Sequence, residues 1–101
     1  KHIGDYAFSG IYFSDYLSLP DSVVSIGTRA FYNSSIVDFV SFNHNVTMIG
    51  REAFMECRSL KNIVYRGNVE QWDSIALGDR WNHLTSLKVV LCLDGDIKLS
   101  E

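Results

Sequence analysis

The sequence has no clustered basic residues, no apolar stretch of bilayer length and only two cysteines. Nine Lys and Arg stand singly among twelve Asp and Glu, a formal charge of −3. No basic stripe is therefore present to collect phosphates, which disfavours nucleic acid and anionic membrane surfaces as partners. No segment approaches the ~20 apolar residues that cross a bilayer, so membrane insertion is not expected. No charged, apolar and small-residue series marks a signal peptide either. Cys57 and Cys92 are spaced for neither a zinc knuckle nor a redox pair, and free buried thiols are the expectation. The sequons Asn33-Ser34-Ser35 and Asn45-Val46-Thr47 matter only on a eukaryotic secretory route; a prokaryotic source leaves both bare. What remains is the composition of an ordinary soluble protein, 47% hydrophobic and 21% charged over 101 residues, enough for one domain with a modest core.

The order of the residues says more than their proportions. "IGDYAF", "IGTRAF" and "IGREAF" open at Ile3, Ile26 and Ile49, a period of 23 residues. Periods of roughly 20–29 residues point to a leucine-rich solenoid. In register the units span 3–25, 26–48 and 49–71. One column holds Leu17, Val40 and Ile63, and the column two residues on holds Leu19, Phe42 and Tyr65. Apolar residues on either side of a variable one mark a short strand with one buried face. Strands near 15–19, 38–42 and 61–65 are thus expected to stack as one parallel ladder, about 4.8 Å apart. The start at Lys1, without an initiator Met and directly before the Ile of a repeat, reads as a processed product or a fragment of a longer protein. Any export signal could already have been removed.

The hexapeptide belongs across the coil from the strand. The four-residue step from Ile26 to Ala30, with Phe31 next, suits one side of a single helical turn. Gly27 is expected to supply a backbone conformation closed to other residues, and Ala30 to let coils approach. Tyr6, Arg29 and Glu52 are expected to point outward, which would explain why that position varies. Phe8, Phe31 and Phe54 should each contribute about 2–3 kcal/mol by burial.

After Gln71 the period breaks. Asn68 and Gln71 have the form of a helix start, and Trp72, Ile75 and Ala76 supply an apolar face that Gly78 and Asp79 would end. "LKVVLCLDGDIKLS" reads as a hairpin turning at Asp94-Gly95. The expected organisation is one right-handed solenoid domain: three repeats over 1–71, then a helix-plus-hairpin cap over 72–101. Trp72 and Trp81 would close its core.

Catalytic chemistry finds little support. A hydrolase needs a base held beside a nucleophile, whereas His2, His44 and His83 lie at an end, in a repeat loop and in the cap. Asp94, Gly95 and Asp96 lack the spaced oxygens and closing Glu of a calcium loop. Single glycines in each coil make no phosphate cradle. Neither enzyme activity, metal nor cofactor is expected. The functional candidate is the outward side of the strand ladder, with Tyr16, Ser18, Phe39, Ser41, Asn62 and Val64 as its partner-binding residues. Tyr16 and Phe39 share a column, so they should form an exposed aromatic step beside small serines, suited to protein or glycan contact.

The pattern I-G-x-x-A-F, an apolar residue, x-x-apolar-x-apolar-P and then V resembles BspA-type leucine-rich repeats over essentially the whole chain. "NIVYRGNVEQWDSI" and the later Cys92-Leu93-Asp94-Gly95 resemble the tail closing many such arrays. The usual Pro survives only as Pro20 and the usual Cys only as Cys57, the mark of a drifting array. The resemblance implies a surface or secreted protein of host-associated bacteria, or of some parasitic protists, linked to adhesion and host-protein binding. It brings no shared catalytic residues. A structural spacer that displays another domain is the alternative.

Overall fold

A computed structural model describes residues 1–13 and 15–99. Ser100 and Glu101, placed by the sequence reading at the end of the cap, lie outside the described residues. Each coil contributes a strand to two sheets. Coil 1 supplies β1 (His2–Ile3) and β2 (Leu17–Ser18), coil 2 supplies β3 (Ser25–Ile26) and β4 (Asp38–Asn43), and coil 3 supplies β5 (Met48–Ile49) and β6 (Leu60–Arg66). After the helix α1 (Val69–Asp73) come β7 (Ala76–Leu77), β8 (Val89–Cys92) and β9 (Gly95–Lys98). The larger sheet runs β2-β4-β6-β8-β9, parallel except for the final hairpin pair, and the smaller runs β1-β3-β5-β7, parallel throughout. The expected ladder is present: Leu17 pairs with Val40, and Val40 with Ile63. The smaller sheet has no counterpart in the sequence reading, since two-residue strands are too short to show alternation.

The return segment of each coil is a chain of tight turns where a single helical turn was expected. Ala30 N–H donates to Gly27 O, Tyr32 N–H to Arg29 O and Ser34 N–H to Phe31 O. Arg29 and Asn33 carry φ of 52° and 55°, as third residues of such turns. The same left-handed backbone recurs at Tyr6, Glu52 and Arg80. The motif glycine is therefore not the left-handed residue. It is needed because coils touch there: a Cβ on Gly50 would lie 2.6 Å from the Gly27 carbonyl carbon, and one on Gly78 2.4 Å from Arg51 N.

Coil 4 runs through residues that the sequence reading assigns to the cap. Ala76 and Leu77 pair with Met48 and Ile49, while Glu52 and Phe54 N–H donate to Asp79 and Trp81 O. The helix therefore ends at Asp73, short of Ala76, because the ladder takes Ala76 as a strand residue. Asn68 and Gln71 form a reciprocal capping box at its start. The hairpin loop is Leu93-Asp94, one residue earlier than expected, since Gly95 already pairs with Cys92. Asp94 Oδ1 there accepts from Val69 N–H at 2.8 Å, tying the loop to the helix start.

Phe31 is fully buried between Phe8 and Phe54, with ring centroids 5.3 and 5.2 Å away. Phe8 itself is 40% exposed, against expectation, because no coil lies on its outer side in the structure. Trp72 and Trp81 are buried with centroids 5.8 Å apart, Trp72 against Tyr65 and Trp81 against Phe54. They close the core as expected.

Candidate functional site

The strand ladder places the six sequence-derived residues on one side of the larger sheet. Buried Val40, Phe42, Ile63 and Tyr65 point inward, so the alternating positions face out. Tyr16 and Phe39 stack with centroids 4.6 Å apart and planes 10° from parallel. Tyr16 is 51% exposed and Phe39 half-buried. Phe39 is in register with Asn62, after an irregularity between Asp38 and Phe39 that leaves Lys61 out of the pairing. Ser18, Ser41 and Val64 form the next column.

Ser41 departs from its expected role as an open neighbour of the step. It is buried, because the Arg66 guanidinium reaches back over it, hydrogen-bonds its Oγ and continues to Leu19 O at 3.4 Å and Asp21 Oδ1 at 2.9 Å. Arg66 thereby straps coil 3 to coil 1 and closes this side of the face, while Ser18 stays open. The face also extends further than the sequence reading placed it. Val89 is in register with Asn62 and Leu91 with Val64, and Leu91 is 36% exposed. Period-two alternation across "VVLC" carried that signal, hidden by treating the segment as a cap.

Across the coil a second arrangement corrects the reading that Tyr6, Arg29 and Glu52 all point freely into solvent. The Glu52 side chain is only 3% exposed, with Arg29 Nε 2.5 Å from its Oε1 and Arg51 and Arg80 at 4.0 and 3.9 Å. Three guanidiniums around one buried carboxylate satisfy its charge. The hydrogen bond from Arg29 holds the Glu52 carboxyl below the usual carboxylate range, and the same bond raises Arg29. Arg29 also lies over the rings of Tyr32 and Tyr6, at 5.4 and 6.0 Å.

Both cysteines are free, as expected, but Cys92 is only half-buried. Cys57 Sγ–H donates to Phe31 O at 2.9 Å, and burial pushes its thiol up to about 12. Among the described residues no three His, Cys, Asp or Glu side chains are grouped to hold a metal ion. No helix of the structure is long and apolar enough to cross a membrane.

The BspA type leucine rich repeat region model matches residues 1–90, with six copies. No curated protein matches the chain, and no solved structure does.

Proposed function

The chain belongs to the BspA-type leucine-rich repeat family, and from that membership we propose that it is a non-catalytic interaction module whose contact surface is the open side of the larger sheet. The observation that carries this reading is the Tyr16–Phe39 stack, in which Tyr16 is exposed and Phe39 half-buried, less open than the expected step. Each ring fixes the other, so the pair gives large contact area with little entropy left to lose on binding. Ser18, Asn62 and Val64 lie beside it, whereas Ser41, buried beneath the Arg66 guanidinium, is not open to a partner. Family membership supports a repeat module for protein interaction, and on our reading its role is adhesion-type, at a cell surface or in secreted form, toward a protein or glycan on a host or cell surface.

The test is binding of the fluorescently labelled chain to cultured host cells. Tyr16→Ala with Phe39→Ala should weaken binding by about 2 kcal/mol or more, the scale of a hot spot. Met48→Ala, on an exposed position of the smaller sheet, is the control. Arg29 is unsuited to that purpose because it anchors buried Glu52. Equal losses from both variants, with thermal melts showing folded protein, would remove the open face from consideration. A spacer within a longer array is the second reading. Half-buried Ile3, Phe13 and Leu17 around exposed Phe8 favour it, since they leave coil 1 an apolar outer side on which another coil could stack.

A further inference from the structure

The Tyr16–Phe39 geometry narrows the class of partner. A sugar ring binds an aromatic side chain by lying flat on an open ring face. At 4.6 Å and 10°, Tyr16 and Phe39 each cover one face of the other. Phe39 has Asn62 beside it on coil 3, so the pair offers solvent its ring edges and the outer face of Tyr16. Edges carry the positive end of the ring quadrupole and suit carbonyl oxygens and apolar side chains.

Charge along the neighbouring column adds direction. The residues just before the outward column in coils 1 to 4 are Asp15, Asp38, Lys61 and Lys88, all exposed. Lys88 N–H donates to Lys61 O, which sets these two side by side. Among the described residues neither lysine takes part in an ion pair, whereas Asp21 and Arg66 on the other side of the face neutralise one another. The open rim is thus acidic over coils 1 and 2 and basic over coils 3 and 4. The centres of its two halves are two coil spacings apart, about 10 Å. That matches residues i and i+3 of a polyproline-II segment, which lie on one side of the chain at roughly 3.1 Å per residue.

Resting on the open-face reading above, we propose that the partner presents an extended peptide with a basic residue, an apolar anchor and, three residues from the base in either direction, an acidic residue. The base faces Asp15 and Asp38, the anchor lies against the edges of Tyr16 and Phe39, and the acid meets Lys61 and Lys88. Neutral or uniformly sulfated glycans cannot match a rim of two signs.

Selection of random linear peptides on the immobilised chain, beside an array of neutral and sulfated oligosaccharides, tests this. The expected result is enrichment of peptides with base and acid flanking an apolar residue. A synthetic peptide so selected should bind Lys61→Glu with Lys88→Glu roughly tenfold more weakly, and wild type less tightly as salt rises. Retention of sugars without peptides, or no enrichment of any peptide, would overturn the proposal. Peptides that lose binding to Tyr16→Ala with Phe39→Ala but ignore the lysine changes would overturn the charge pattern while leaving the open face in place. Peptides that ignore both double variants would overturn the open-face reading itself.

Discussion

Arg29 Nε lies 2.5 Å from Glu52 Oε1, so two residues in equivalent positions of successive coils form an ion pair with one buried member. The freely varying column of the motif is thus a ladder in which each side chain meets its neighbours one coil away. Tyr6, Arg29, Glu52 and Arg80 all adopt the same left-handed backbone.

The Glu52 carboxyl is held below its ordinary value near 4.5, chiefly by the Arg29 hydrogen bond. A folded-state depression of this sign gives stability that is present above the unfolded pKa and lost as pH falls through the folded one. The urea midpoint of the wild type should therefore drop below about pH 4.5. Glu52→Gln should be less stable at neutral pH and should lack this part of the acid response. A wild-type midpoint flat through that window, or the same acid response in the variant, would contradict the account.

The phenylalanine column predicts a graded response. Phe31 is fully buried between two rings, so Phe31→Ala should cost roughly 3–5 kcal/mol through lost contact and a cavity. Phe8 keeps one ring neighbour in that column and is 40% exposed, so Phe8→Ala should cost only about 1–2 kcal/mol. Urea unfolding of both variants decides this, and equal losses would mean that the outer coil is packed differently.

Some of this was readable in the sequence because each coil repeats the same solution. Leu17, Val40 and Ile63 recur at one period, and one register follows for all three. The buried carboxylate was not readable, since Glu52 shares its column with exposed Tyr6 and only stacking on Arg29 shows why it is inside. Coil 4 was hidden because α1 shifts its register to 28 residues in the smaller sheet, Met48 to Ala76, and because Trp81 stands where Ala53 does. The Tyr16–Phe39 stack followed from strand alternation, whereas Arg66 lying over Ser41 depended on the path of one long side chain.

The glycine column gives a contrast within one motif. A methyl on Gly50 would meet the Gly27 backbone at 2.6 Å, and neither backbone can move without disturbing the ladder. Gly50→Ala should cost about 1–3 kcal/mol, the range of overpacking. A methyl on Gly4 would have no atom within 4 Å, so Gly4→Ala should change stability by no more than about 0.5 kcal/mol. Thermal melts of the pair separate close approach from backbone freedom, because a φ requirement would penalise both alike.

Cys57 turns the contact between coils 2 and 3 into a chemical readout. Its thiol donates to Phe31 O on the preceding coil, and its burial pushes it up to about 12, so the reactive thiolate is scarce in the folded protein. Cys92, half-buried at the end of β8, is also raised, first by burial and then by Asp94, Asp96 and Asp73, yet it can be reached without parting the coils. An aromatic disulfide reagent at mildly alkaline pH should therefore modify Cys92 first and Cys57 only as denaturant opens the stack. Phe31→Ala should bring Cys57 forward, since removing that ring weakens the coil contact above the sulfur. Equal native rates for both thiols, resolved by peptide mass after quenching, would show that coils 2 and 3 separate far more readily than the buried Phe31–Phe54 stack requires.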